Sequence, residues 1–212
     1  MTYPLPDMTF EDDARIRGFA HIAGVDEVGR GPLAGPVVAC AVILNPSCVP
    51  EGLNDSKALS AKRREALFDV IPNVALVGIG EASVDEIDSL NILQASHLAM
   101  VRAINALPVV ADYALVDGHI LPRNVPCAAE TIIKGDTRSL SIAAASIVAK
   151  VWRDRLMVGL SQQHPGYGWE RNAGYPTRQH HEGLKCHGVT QHHRRSFAPI
   201  HRMLWQDKNQ GR

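Results

Sequence analysis

Apolar residues along this chain fall into two rhythms. "HIAGVDE" and "GPVVACAVIL" are short, nearly continuous apolar runs separated by a turn rich in Gly, and "NVALVGIGEAS" is a third; all three predict strands. Between the second and third, Ser60 caps a short helix over "AKRREALFDVI" that is expected to run up to Pro72, with Arg63 rather than Glu at its third position. Ser83 and Glu86 have the spacing of a capping box, and a helix follows through "NILQASHLAMVRAINAL" with Leu93, His97, Met100, Ile104 and Leu107 along one stripe. His97 on that stripe reads as a packed histidine, not a ligand. "DYALVDG" and "CAAETIIKGD" are two further apolar runs, each ending in an aspartate. "SLSIAAASIVAKVWRDRLMVGL" is a helix whose alanines would let its backbone lie close against a sheet. Pro176 in a first turn and Gly188 past the end bracket a last helix, "TRQHHEGLKCH". Strands paired first as a meander and then alternating with helices predict an α/β fold, with a central mixed sheet flanked by helices and a helical C-terminal region.

The composition agrees with one folded domain of 212 residues, 45% hydrophobic and 21% charged. Residues 1–18 read as a flexible N-terminal segment, 19–202 as a single domain and 203–212 as a polar tail. The formal net charge is zero, but residues 1–149 hold 11 Lys+Arg against 18 Asp+Glu, and residues 150–212 hold 11 against 4 with seven of the ten histidines. An acidic front and a basic rear suggest a polyanion held by one and worked on by the other, although two solvated faces of opposite sign also fit. The four cysteines form no CxxC pair, as expected for thiols in a reducing compartment. The N-terminus lacks the basic-then-apolar pattern of a signal peptide, and the longest apolar run, Pro32 to Leu44, is too short to span a bilayer. A cytoplasmic protein with no membrane contact is expected.

Three of the predicted strands end in acid: "GVDE", "LVDG" and "IKGD". Functional crevices of open α/β sheets lie where strands end. With those strands side by side, Asp26, Glu27, Asp117 and Asp136 would converge, and four ionised carboxylates share a pocket only with cations present. An all-oxygen set suits Mg²⁺ or Mn²⁺ rather than zinc, and two such ions about 3.5–4 Å apart would clamp a phosphodiester. Successive strand residues point to opposite faces, so Asp26 and Glu27 can serve one site only if the strand ends there. "GVDEVGRG" has the GxxxxG spacing of a phosphate-binding loop, but no Lys-Ser/Thr and helix follow it, and that reading is rejected. Gly29 and Gly31 instead allow close backbone approach to a ligand, with the Arg30 fork available for a phosphate or sugar oxygen.

"GVDEVGRGPLAGPVV", "LNDSKALSAKRREAL", "VDG", "IKGD", "SIAAASIVAKVWRD", "GYPT" and "HHRRSFAP" resemble, in order, the motifs of bacterial type 2 ribonuclease H, from about Ile22 to Pro199. The resemblance implies a ribonuclease H-like fold and hydrolysis of the RNA strand in RNA–DNA hybrids. It also implies incision 5′ of single ribonucleotides embedded in duplex DNA, leaving 3′-hydroxyl and 5′-phosphate ends. By motif it implies Asp26, Glu27, Asp117 and Asp136 as metal carboxylates, Gly29, Arg30 and Gly31 as readers of the ribose 2′-hydroxyl, Tyr175 as the junction-stacking ring and Lys57 as a phosphate contact. His119 stands where the family pattern suggests asparagine. An extra N-terminal substrate-binding domain, a clamp-binding tail and an obligate protein partner are not expected, and the chain reads as a monomer.

Smaller signals add to this. "HHEGLKCHGVTQHH" fits no zinc spacing and reads as a basic surface for a duplex: Arg178, Lys185, Arg194 and Arg195 on phosphates, with the histidines as donors. Tyr167 and Trp169 read as structural, Ser146 as either a contact near the site or helix–sheet packing, and Lys150 with Asp154 as a surface pair. Two rival classes are a hybrid-binding module without catalysis, which would need a lost acid, and a metal-dependent phosphatase or polynucleotide transferase.

Overall fold

A computed structural model describes residues 5–209, with side chains as far as Trp205. The expected loose ends therefore lie partly outside the described residues, at 1–4 and 210–212. Five strands form one sheet in the order β3-β2-β1-β4-β5. β1 (Ile22–Val28), β2 (Val37–Leu44) and β3 (Ala75–Ala82) make the antiparallel meander, and β4 (Tyr113–Asp117) and β5 (Ala128–Ile132) add on in parallel beside β1.

β2 is buried along its whole length because both faces of the sheet are covered. Ala39 and Ala41 look toward helix α4 (Ile92–Asn105), where Ala95, Ala99 and Ala103 keep the layers close. Cys40 and Val42 look toward α2 (Ala61–Val74) and the long α5 (Leu140–Gln163). The alanines of α5 have the expected effect. A methyl group on Gly24 of β1 would come within 2.2 Å of the Ser141 backbone carbon, so that strand and helix start are in direct contact. The C-terminal elements α6 (Trp169–Asn172), α7 (Arg178–His187) and α8 (Ala198–Asn209) pack as an apolar cluster, with Trp169, Leu184 and Ile200, onto Leu33, Ala34 and Met157.

Several expected boundaries move. Residues 83–107 form two helices, α3 (Val84–Leu90) behind the capping box and α4, because Asn91 adopts φ 73° and caps the second with its own side chain. Pro72 does not end α2: it sits in the last turn, and the helix runs on to Val74 although Pro72 has no N–H to give the Phe68 carbonyl. Pro176 precedes the Thr177 cap of α7 and is not its first helical residue. Residues 203–209 continue α8. The N-terminal segment holds α1 (Thr9–Ile16), in which Glu11 and Ala14 are buried. Among the described residues, no helix is long and apolar enough to cross a membrane.

Candidate active site

The acids gather at one end of the sheet, but not as simple strand ends. β1 runs on through Asp26 and Glu27, paired with Cys40 and Ala39 of β2. On its other side, however, the β1–β4 ladder closes at Val25↔Val116. That open edge lets Asp26, on the α5 face, and Glu27, on the α4 face, both reach Asp117 at the tip of β4. Ligand oxygens of Asp26, Glu27 and Asp117 lie within 4.8 Å of one another. Asp136 follows β5 by four residues, in a 3-10 turn (Gly135–Thr137) entered through Lys134 at φ 54°. It is buried beside the trio, and not part of that tightest group.

Hydrogen bonds hold the carboxylates in place. Asp26 Oδ1 accepts from the Glu27 amide at 2.8 Å, and Asp117 Oδ1 from the Gly135 amide at 2.7 Å. Burial raises Asp26 well above the usual carboxylate range, and Glu27, Asp117 and Asp136 raise it further. Burial also raises Asp117, against the Gly135 hydrogen bond, and pushes Asp136 up to about 6 with help from Asp117 and Asp55. An all-oxygen set under this much mutual repulsion fits a hard divalent cation.

Lys57 lies in this field. Burial works against its charge, but Asp55, Asp26, Asp136 and Asp117 outweigh that and hold it above its ordinary value. Its loop is fixed from below: Ser146 of α5 donates to Ser56 Oγ at 2.8 Å, and Arg64 donates to the Ser56 carbonyl at 2.7 Å. Ser146 is thus a contact near the site.

Arg30 reaches back to Glu27 at 3.2 Å and is half exposed. A Cβ on Gly31 would lie 3.3 Å from the ring of Tyr175, so ring and glycine loop face each other closely. Two loops thereby form one surface, tied by the Leu33 amide to the Gly174 carbonyl at 2.8 Å. Two buried arginines fasten it from behind. Arg153 of α5 donates to the carbonyls of Ala34, Pro36 and Ala173, and Arg194 to those of Gly29, Arg30, Gly35 and Pro36. Burial lowers Arg153 to about 10 and Arg194 to about 9.

This corrects the expectation for Arg194: it is fully buried and spends its donors on the glycine loop, so it meets no phosphate. Arg195 is exposed, with its amide on Asp88. His180 and His193 are likewise buried and not available as donors to a duplex. His180 Nδ1 can only donate to the Tyr175 carbonyl, at 2.9 Å, so its Nε2 accepts from Trp169. His193 takes the Thr190 amide on Nδ1 and faces His180 through Nε2. Both histidines are held below their ordinary value, first by burial, His193 to about 3. Tyr167 and Trp169 are buried as expected. His97, expected to be packed, is buried but also lines a cleft of about 260 Å³ with Glu27, Arg30, Asp117 and His119.

Fold and acidic site define the class: a ribonuclease H-type, metal-dependent nuclease, and so a hydrolase. The sequence pattern of "Ribonuclease HII" matches residues 23–208, and the chain belongs to that family. It is 63% identical over 202 residues to the ribonuclease HII of Ruegeria pomeroyi, covering 95% of this chain and 86% of that one. Among solved structures, the ribonuclease H2 of Pyrococcus horikoshii aligns with a TM-score of 0.74 and 26% identity over 91% of this chain and all of that one. The Bst-RNase HIII structure in complex with Mn²⁺ aligns at 0.65 and 18% identity, over 92% and 73%, and shares the fold.

Proposed function

We propose that this chain cuts the RNA strand of RNA–DNA hybrids and incises duplex DNA on the 5′ side of a lone ribonucleotide, leaving a 3′-hydroxyl and a 5′-phosphate. The observation that carries this is the junction of two devices at one sheet end. Three carboxylates with oxygens within 4.8 Å adjoin a glycine-arginine-glycine loop that packs against Tyr175.

Asp26, Glu27 and Asp117, with Asp136 beside them, would hold Mg²⁺ or Mn²⁺. Bound in pairs, such cations supply positive charge to the phosphate and to the attacking and leaving oxygens of an in-line displacement. The chain's own residues do the rest. Glu27 keeps Arg30 turned toward the acids, where the guanidinium reaches the sugar next to the scissile phosphate. Gly29 and Gly31 let the backbone meet the ribose 2′-hydroxyl, the group that separates RNA from DNA. Tyr175 stacks on the following deoxyribose, where a second hydroxyl would crowd it. Lys57, its charge favoured by four carboxylates, neutralises the substrate backbone at the cleft mouth.

Labelled duplex DNA carrying one ribonucleotide, with Mg²⁺ and Mn²⁺ compared, tests the reading. Wild type should give one incision per site, and Asp117→Asn should lose at least about 100-fold in rate, the scale on which preorganised charge stabilisation acts, while still binding the duplex. Near wild-type turnover by Asp117→Asn at saturating metal would remove the assignment. Faster turnover of a small phosphomonoester than of the duplex would favour a phosphatase.

A further inference from the structure

Glu11 stands outside the residues 23–208 matched by the family, in the segment that sequence reading leaves loose, yet it is fully buried. Its Oε1 accepts three hydrogen bonds at the start of α5: from the Ser139 hydroxyl at 2.6 Å, the Ser141 amide at 2.9 Å and the Ser141 hydroxyl. Its Oε2 is buried with no partner among the described residues. A long helix offers unpaired amides and a partial positive charge at this end, which suits a carboxylate there. Burying a carboxylate with one oxygen unpaired is nonetheless costly, so packing alone is a poor account of it.

The connection continues inward. The Ser139 amide donates to the Gly135 carbonyl at 2.8 Å, and the Gly135 amide donates to Asp117 Oδ1 at 2.7 Å. Gly135 also opens the 3-10 turn that carries Asp136. The backbone just before α1 reinforces this: the Asp7 amide donates to Arg138 O and the Leu140 amide to Asp7 O. The N-terminal segment is thus strapped along residues 138–141, immediately after the turn. A methyl on Gly24, two residues from Asp26, would strike the same Ser141. There is little slack between the Glu11 contact and the carboxylates.

We infer that Glu11 is a positioning residue of the nuclease site, which sets the places of Asp117 and Asp136 through Ser139, Ser141 and Gly135 and thereby the site's affinity for divalent cations. The inference rests on the reading of Asp117 and Asp136 as metal carboxylates. It predicts that loss of Glu11 weakens metal binding and turnover while leaving the glycine loop and Tyr175, which Glu11 does not touch, as they were.

The test is Mn²⁺ titration of the full-length protein by calorimetry without substrate, together with kcat and KM on an RNA–DNA hybrid, all well below the melting temperature. Glu11→Ala should raise the Mn²⁺ dissociation constant at least fivefold and lower kcat at fixed metal, with KM within twofold. Glu11→Gln, which keeps the Oε1 acceptor and offers an amide donor at the orphan position, should recover most of both. A lower melting temperature for Glu11→Ala with unchanged Mn²⁺ affinity and kcat would make Glu11 structural only and overturn the inference. If Glu11→Ala does not fold, Ser139→Ala decides: wild-type Mn²⁺ affinity in that variant contradicts the relay, and a weakened one supports it. Asp117→Asn serves as the control. If it leaves Mn²⁺ affinity and rate intact, the metal-site reading itself has failed; if it abolishes both while the Glu11 variants match wild type, only the relay has.

Discussion

Asp136 carries the clearest consequence of crowding these acids together. Its carboxyl moves from an ordinary 3.8 to about 6, first through burial and then through Asp117 and Asp55. Because the folded value lies above the unfolded one, the folded chain binds the proton more tightly. The resulting stabilisation is complete below about pH 4 and is lost as pH rises through about 6. Asp136→Asn should therefore leave the metal-free protein more stable than wild type near neutral pH, and the gap should close toward pH 4. Thermal melts of both proteins in chelator across that range check it, and a gap independent of pH would mean that charge at Asp136 is not the strain. The acids were legible in the sequence because each acidic position or pair closes an apolar run. Their reach was not, because it depends on the β1–β4 pairing closing one residue short of Asp26 on one side while β2 continues on the other.

α5 joins the site's separate loops. Its first turn meets Glu11, Ser146 fixes the loop of Lys57, and Arg153, about two turns further on, holds Ala34, Pro36 and Ala173, and so both the glycine loop and the Tyr175 loop. Its alanine pattern made the helix and its close approach to the sheet readable. Arg153 and Arg194 were not, because arginine beside other charged residues reads as solvent-facing and nothing local says that three carbonyls await the one and four the other behind a glycine loop. Arg194→Ala would leave buried carbonyls unpaired at about 1–3 kcal/mol each, so a loss of about 3 kcal/mol or more is expected in denaturant unfolding. Arg195→Ala, at an exposed position, should cost little stability. It should reduce the salt slope of duplex binding by about one unit if its side chain touches a phosphate. An unchanged slope for Arg195→Ala would place the basic contacts elsewhere on residues 150–212.

Across the whole molecule, the meander, the parallel addition and the helical C-terminal part follow from apolar rhythm, whereas the break at Asn91 depends on one residue and the docking of α1 on Glu11, Ala14 and the Asp7 backbone, which no local rhythm announces. The acidic front and basic rear meet at the glycine loop: its acids come from β1 and β4, its arginine supports from α5 and the segment before α8. Tyr175 belongs to the rear by sequence and to the site by contact, since its carbonyl is held by His180 and its ring lies on Gly31. In the proposed reading, selection of the bond belongs to a surface that the two halves build together, separately from the carboxylates proposed to hold the metal. The most direct measurement is the rate of wild type and Tyr175→Ala, from paired preparations, on duplex DNA with one ribonucleotide and on a long RNA–DNA hybrid. The account predicts that Tyr175→Ala loses at least tenfold more rate on the lone ribonucleotide than on the hybrid, equivalent to about 1.4 kcal/mol of lost discrimination. An equal fall on both substrates would contradict it.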